Sequence, residues 1–268
     1  MRIYLGCTNV AWLRRTSVPL FMQRGPLSGA GIKNMGRARG PWSLDSGGFT
    51  EIGHYGRWTV TPEEYAREVR FWQREIGSLE WAAPQDWMSE PPMLFRAMLE
   101  EDTEGGEFAR RLVPDHAGMK HDGLMAEIQN LFEGFGVDTL IGEALREAGL
   151  SGGKKSLGKD RLAALGKRIR EHQKHLRHLE GLLRRQVCVH QQRTIDNFLE
   201  LQRLAPEIRW IPVLQGWKVK DYLAHADAYE AAGVDLNEAP VVGLGSVCRR
   251  KTLDTAQAGI THLPGGQG

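Results

Sequence analysis

The sequence contains little of what characterises secreted or membrane proteins. It has three cysteines in 268 residues, Cys7, Cys188 and Cys248, and no C-x-x-C pair. An odd number of distant cysteines argues against a disulfide framework and favours a reducing, cytoplasmic setting. No run of about 18 apolar residues is present, so we expect no membrane-spanning helix and no membrane partner.

Charge of one sign is also scarce over the whole chain, whose formal net charge is +2. The basic residues are nevertheless unevenly distributed. Residues 1–53 carry seven Lys and Arg against two acids, and residues 154–185 carry eleven against three. Local basic blocks fit a polyanionic partner such as DNA, although a solvated helix face is the more common explanation.

The stretch Trp42–Phe49, WSLDSGGF, is the most informative part of the sequence. An apolar lead-in typical of a strand runs into Asp45 and Ser46, two glycines and the ring of Phe49. The glycines permit positive φ or the close approach of a flat ligand. In sheets built from βα units, ligands bind at this C-terminal end of the strands. The alternative is an ordinary Gly-Gly turn with a solvated Asp45.

The segments on either side of this turn alternate between predicted strands and helices, as in βαβ units. Arg2–Gly6 predicts a first strand, followed by a glycine-containing, loop-rich region up to Trp42. Thr61-Pro62-Glu63-Glu64 predicts a helix start, and the helix should end near Gly77. The next strand, from Leu79, ends at Gln85 and Asp86. Asp45 and Asp86 are therefore expected at equivalent ends of neighbouring strands.

Residues 92–187 interrupt this alternation and predict helices. A seam of apolar residues with one histidine recurs there at spacings of three and four, with Arg and Lys beside it. Its members are Leu162, Leu165, Ile169, His172, Leu176, Leu179 and Leu183. We interpret residues 92–187 as a basic helical insertion between two barrel segments, residues 1–91 and 188–268. The alternative is a helix packed on the main body with a solvated basic face.

The alternation resumes with a helix from His190 to Leu204. A buried strand, Trp210–Leu214, should end at Gln215, and a helix ending near Gly233 should follow. The glycine-rich strand Val241–Val247 comes next. The predicted fold class is α/β, a TIM-type (β/α) barrel. About five strands are readable of the eight that a barrel needs, so we expect a barrel incomplete at its C-terminal end.

The predicted strand ends together carry a set of groups that suits a purine-like ring. These are Asp45 with Ser46, Asp86, Gln215, and the backbone of Gly243 and Gly245. Carboxylates and a carboxamide can bond the ring's edge, and Phe49 can stack on its face. One carboxylate could instead act as nucleophile or general acid/base at a glycosidic carbon. Arg249 and Arg250 suit a phosphate.

Five segments together resemble the deazapurine DNA modification family of the DpdA type, which is related to the tRNA-guanine transglycosylases. They are SLDSGGF, WAAPQDWMSEP, HQQRTIDNFLELQRLAP, WIPVLQGW and VVGLGSVCRR. The resemblance covers roughly residues 2–91 and 188–253. LQGW and GLGSVCRR are the pieces that point to the DNA-acting branch, whereas DSGGF is shared with the tRNA enzymes.

The resemblance implies a TIM-type barrel that exchanges guanine in DNA for a 7-deazaguanine such as preQ0, through a glycosyl-enzyme intermediate on an aspartate. It implies proton transfer by Asp45 and stacking by Phe49. Asp86 and Gln215 would read the edge of the base, together with the backbone of Gly243 and Gly245. In relatives the nucleophilic carboxylate lies on a later strand, so a C-terminal complement or companion DNA-modification proteins are expected partners.

The tRNA enzymes also carry a cysteine-rich zinc site, which has no counterpart here. Cys188 and His190 could hold a metal with the distant Cys248, but buried thiols are the alternative, and no metal site or cofactor is assigned. Two other functions stay open from the sequence. One is a tRNA-guanine transglycosylase-like enzyme. The other is an inactive nucleic-acid-binding relative that uses the basic stretch 154–185.

Overall fold

The computed structural model describes residues 3–30, 36–134 and 159–247. The chain divides into two compact units, each treated by itself. The sheet unit comprises Met1–Ala97 with Val187–Gly268, and the helical unit comprises Met98–Gln186. The candidate functional residues that the structure describes all belong to the sheet unit.

The described part of the chain contains six short parallel strands, which follow one another in chain order. They are β1 (Leu5–Cys7), β2 (Leu20–Gln23), β3 (Trp42–Asp45), β4 (Leu79–Ala82), β5 (Val213–Leu214) and β6 (Gly243–Leu244). The first four form one sheet in the order β1-β2-β3-β4, and β5 pairs with β6. A parallel bridge between Ala82 and Trp210 links β4 to the segment before β5. All six strands therefore point their C-terminal ends the same way.

The prediction of a loop between β1 and β3 is wrong, because β2 lies there and pairs with both. Leu20 and Met22 are buried in the main core, while the ring of Phe21 packs against Trp81 at 5.3 Å. A strand of four residues gives too little alternation to stand out from the sequence. The strands predicted at residues 210–214 and 241–247 are confirmed, but they are shorter than expected.

Of the six α-helices described in the sheet unit, Arg24–Gly29 and Gly48–Tyr55 were not predicted, whereas the other four were. The six are α1 (Arg24–Gly29), α2 (Gly48–Tyr55), α3 (Pro62–Ile76), most of α4 (Pro91–Leu99), the C-terminal part of α7 (Lys159–Leu204) and α8 (Val219–Ala231). The predicted capping box at the start of α3 is confirmed: Glu64 N donates to Thr61 Oγ1 at 3.3 Å, and Thr61 N donates to Glu64 Oε2 at 2.9 Å. It satisfies two backbone donors that the first turn leaves unpaired.

The main core lies between the strands and the helices. Trp42 and Leu44 of β3 are fully buried in it, together with Tyr65 and Val69 of α3 and Phe198 of α7. Trp42 Nε1 also donates to Gly77 O at 2.6 Å, which ties the strand to the end of α3. Since consecutive β3 residues point to opposite faces, Ser43 and Asp45 face away from this core. β3 is thus anchored on one face and ends with a carboxylate on the other.

The helical unit contains α5 (Glu104–Leu112), α6 (His121–Gly134) and the N-terminal part of α7. The predicted seam and the predicted helix from His190 belong to this one helix of 46 residues. Leu179 is buried, whereas the side chains of Leu162, Leu165, Ile169 and His172 lie outside the described residues. Arg185 Nη2 bonds to Glu104 Oε2 at 3.0 Å, so part of the predicted basic face is paired with acid.

The fold is a mixed α/β structure with a parallel sheet, and the strands between residues 3 and 247 that are described do not close into a barrel. No helix among the described residues is long and apolar enough to cross a membrane.

Replacing Thr61 with alanine should lower the free energy of unfolding by about 1 kcal/mol, because the N-cap acceptor of α3 is lost. Chemical denaturation monitored by circular dichroism measures the change. Thr61→Ser keeps the hydroxyl and should stay within about 0.5 kcal/mol of the wild type. Equal losses for both variants would show that the methyl group, and not the cap, stabilises this position.

Candidate functional site

The C-terminal ends of β3, β4, β5 and β6 meet in one chain of buried hydrogen bonds. Ser46 Oγ donates to Asp86 Oδ1 at 2.6 Å, and Gln215 Nε2 donates to Asp86 Oδ2 at 2.5 Å. Ser246 Oγ lies 2.8 Å from Gln215 Oε1. The expectation that Asp45 and Asp86 end neighbouring parallel strands is confirmed by the β3–β4 pairing. Asp86 is thus held by residues that follow two other strands.

The turn after β3 positions Asp45. Gly47 N donates to Asp45 Oδ1 at 3.1 Å, and Gly47 adopts φ 78°, a left-handed conformation that a side chain would disfavour. Asp45 is half-buried, and burial raises its pKa above the ordinary value, against the opposing effect of the Gly47 bond. The carboxylate is therefore only partly buried, which suits a group that contacts a ligand.

Asp86 has the more perturbed carboxyl group. Its residue is 8% exposed, and burial raises its pKa from 3.8 to about 7. The bond from Ser46 lowers the pKa, while the negative charges of Asp45 and Glu90 raise it further. Near neutral pH this group is therefore present in both protonation states. A carboxyl group poised in this way can accept two hydrogen bonds when ionised or donate one when protonated.

Gln215 is oriented by bonds to its backbone. Gln191 Nε2 of α7 donates to Gln215 O at 2.7 Å, and Gln215 N donates to His225 Nδ1 at 2.7 Å. His225 Nδ1 must therefore lack a proton, so Nε2 carries it and donates to Gln191 O at 3.2 Å. Burial lowers the pKa of His225 to about 4, which keeps this ring neutral. The carboxamide of Gln215 is thus aimed by two helices.

Gly245 is required by the close packing of the site. A Cβ atom built there would lie 2.1 Å from Gln215 Nε2, whose amide is already bonded on both sides. Its N–H donates to Leu214 O at 2.9 Å, and its carbonyl accepts from Tyr222 Oη at 2.8 Å. Gly243 N donates to Pro212 O at 2.9 Å. Both glycine N–H groups are therefore engaged within the sheet.

Sequence reasoning missed Glu90 and Ser246. Ser246 Oγ lies 2.8 Å from Glu90 Oε2 and accepts from Ser89 N at 2.9 Å. Ser246 also adopts φ 59°, an uncommon conformation for a residue with a side chain. The available signal was their position: both residues follow a strand end, within a few residues of a predicted site residue.

The other predicted residues are placed less centrally. Phe49 is half-buried in the first turn of α2, whereas Arg249 and Arg250 lie outside the described residues.

Of the predicted metal ligands, Cys188 is exposed, contrary to the buried-thiol alternative. His190 is fully buried, with Nδ1 2.6 Å from Met88 O. Cys248 also lies outside the described part. Within that part, no group of three His, Cys, Asp or Glu could hold a metal ion.

The arrangement offers two kinds of chemistry. The Asp86 carboxyl group and the Gln215 carboxamide present acceptor and donor atoms side by side, as the edge of a heterocyclic base requires. Asp45 supplies a second carboxyl group of raised pKa that can accept or deliver a proton. Two carboxyl groups in different environments are also the pattern of enzymes that act at glycosidic carbons.

Comparison with known proteins gives one family. The family described as DpdA, DeoxyPurine in DNA protein A, matches residues 1–120 and 180–262. No curated protein and no solved structure matches the chain. The two matched ranges contain every residue of the hydrogen-bonded chain described above.

The raised pKa of Asp86 should appear in the pH dependence of stability. A group whose pKa is higher in the folded state stabilises the fold at low pH, and this contribution is lost as pH rises through the folded value. The free energy of unfolding should therefore fall between about pH 4 and pH 8, by at most about 4 kcal/mol for this carboxyl group at about 1.4 kcal/mol per pH unit.

Asp86→Asn keeps the shape without the titration, so its stability curve should be flatter over that range. Urea denaturation at several pH values measures both curves. Asp227→Asn, at an exposed position of α8, is the matched control and should leave the slope unchanged. Parallel curves for wild type and Asp86→Asn would contradict a raised pKa.

Gly245→Ala should displace the Gln215 amide and break its bond to Asp86. We expect a loss of about 1–3 kcal/mol in unfolding free energy, because buried polar atoms lose their partners. Gly233→Ala is an informative comparison, since a Cβ there meets no atom within 4 Å but the residue has φ 84°. The double variant Gly245→Ala/Gln215→Ala should lose less unfolding free energy than the sum of the two single losses, because the clashing amide is gone. A loss equal to that sum would argue against the clash.

Proposed function

We propose a function from one premise: the chain belongs to the family DpdA, DeoxyPurine in DNA protein A. Membership implies a role in deazapurine modification of DNA. The finer proposal is that the protein is a DNA base transglycosylase, which exchanges guanine for a 7-deazaguanine base such as preQ0. The single observation that carries it is the buried link between Asp86 and Gln215, because it sets a complementary acceptor and donor at neighbouring strand ends.

In the proposed reaction a carboxylate attacks C1′ of the target nucleotide, and the bond from C1′ to N9 of guanine breaks. The departing guanine takes a proton. The incoming 7-deazaguanine then loses a proton, its nitrogen attacks C1′, and the carboxylate is released. Atoms balance without an oxidant or a reductant. The target nucleotide must leave the base stack for C1′ to be reached.

Asp45 is assigned the proton transfer. Its burial-raised pKa favours a group that holds a proton closer to neutral pH than a solvated aspartate does. The bond from Gly47 N holds the carboxyl group in place, and Oδ2 accepts no hydrogen bond from any described residue. Phe49, in the first turn of the helix that follows, is assigned the face of the base.

Asp86 and Gln215 are assigned the edge of the base. Guanine presents N1–H and an exocyclic amino group as donors and O6 as acceptor, which match an ionised carboxylate and a carboxamide N–H. Both groups are bonded to each other without ligand, so a base must replace these bonds. Gly243 and Gly245 are assigned a close approach to the same edge and not hydrogen bonds from their N–H groups, which are bonded within the sheet. The six parallel strands among the described residues further support the proposed TIM-type barrel.

Incubating the protein and DNA with radiolabelled guanine or preQ0 tests the proposal. Label should enter DNA and not tRNA. A second arm of the experiment adds a C-terminal complement, a polypeptide that supplies the later barrel strands. Asp45→Asn should slow incorporation by about 100-fold or more, as expected for loss of a general acid/base. Asp227→Asn, a matched exposed carboxylate, should incorporate at the wild-type rate. No label in DNA in either arm, or label in tRNA alone, would overturn the proposal.

A further inference from the structure

A cavity lies beside the segment that carries Asp86. Its volume is about 230 Å³, and its lining residues are Trp58, Val60, Pro62, Gln85, Trp87, Arg193, Asp196 and Asn197. Gln85 and Trp87 flank Asp86 in the chain and line this cavity, whereas the Asp86 carboxylate bonds to Ser46 and Gln215. The two sites are therefore built on one short stretch of backbone.

Two indole rings are fixed at the cavity. Trp87 packs against the ring of His190 at 5.1 Å, and the guanidinium of Arg193 lies over the Trp87 ring at 4.5 Å. Trp58 Nε1 donates to Asp86 O at 3.2 Å, so this ring is tied to the backbone of the candidate site. Fixed aromatic rings with a neighbouring cation favour a planar, electron-rich ligand bearing negative charge.

One buried atom at the cavity lacks a partner. Gln85 is 1% exposed, and its Nε2 donates to Val60 O at 2.7 Å, but Oε1 has no hydrogen bond within the described part of the chain. Reversing the amide would set oxygen against the Val60 carbonyl, so the assignment follows from the geometry. A buried acceptor without a donor is costly, and a ligand N–H would remove that cost.

We propose that this cavity binds the base of a nucleotide that neighbours the exchanged one in the DNA strand. The choice of DNA rests on the proposed function. Trp58 and Trp87 contact the base, and Arg193 lies close to its phosphate. Gln85 Oε1 accepts a hydrogen bond from the base, and the carboxylate of Asp196, exposed at the rim, adds a second acceptor. A base that presents N–H donors on its edge therefore fits the site.

Single-stranded oligonucleotides with an abasic residue on one side of the target guanine test this site. At constant salt, wild-type protein should bind one of the two abasic strands at least fivefold more weakly than the intact strand, as expected for the loss of one stacked base. Trp58→Leu should weaken binding of the intact strand by the same factor. It should cause no further loss with the abasic strand.

Three further variants keep the result independent of folding at Trp58. Arg193→Gln should weaken binding of the intact strand, whereas Arg209→Gln, at an exposed position, should weaken it less. Trp12→Leu, which removes a tryptophan that is 45% exposed, should bind both strands as the wild type does. Equal weakening of intact and abasic strands by Trp58→Leu would overturn the proposed cavity site.

Binding to abasic strands, measured together with incorporation of labelled base, separates the two proposals. Base exchange that is indifferent to the neighbouring nucleotide would overturn the cavity site and leave the exchange reaction standing. Abasic-sensitive binding without incorporation of labelled base would uphold the cavity site and overturn the exchange reaction.

Discussion

The bond from Gln215 Nε2 to Asp86 Oδ2 is the interaction on which the rest of the site depends. It joins the end of β4 to the end of β5, and the second Asp86 oxygen accepts from Ser46 after β3. A buried carboxylate without such partners would cost several kcal/mol. With them it is retained; burial raises its pKa to about 7, and the bond from Ser46 acts in the opposite direction. The same bonds fix the spacing of three strand ends.

Helices that pack around the sheet support the residues of the Asp86–Gln215 bond. The C-terminal part of α7 contributes Gln191 to the backbone of Gln215, and Asn197 donates to Gln85 O at 2.7 Å. Thr194 Oγ1 accepts from Trp87 N at 2.9 Å. A single helix therefore supports the residues on both sides of Asp86. Fixed side chains of this kind are what a binding site requires, because a preorganised site pays less entropy when its ligand arrives.

The sequence allowed the scaffold of the site to be predicted better than its details. Asp45, Asp86 and Gln215 follow apolar segments, and the C-terminal ends of parallel strands must meet at one edge, so their proximity followed from pattern alone. β2 could not be recognised, since four residues carry almost no periodicity. Glu90 and Ser246 were missed for another reason: their roles depend on contacts between residues 156 positions apart, which local pattern does not encode.

Without a ligand, both carboxylate oxygens of Asp86 accept hydrogen bonds, and this affects how the proposed exchange would discriminate among bases. Because both Asp86 oxygens are already bonded, a base gains little by adding one more hydrogen bond and must replace an existing one. A base with the matching N–H donors leaves the number of bonds unchanged. A base without them leaves a buried carboxylate unpaired, which costs far more than an absent attraction. Discrimination among bases therefore arises chiefly from what the wrong base leaves unsatisfied, and tight binding of the correct base is not needed for it.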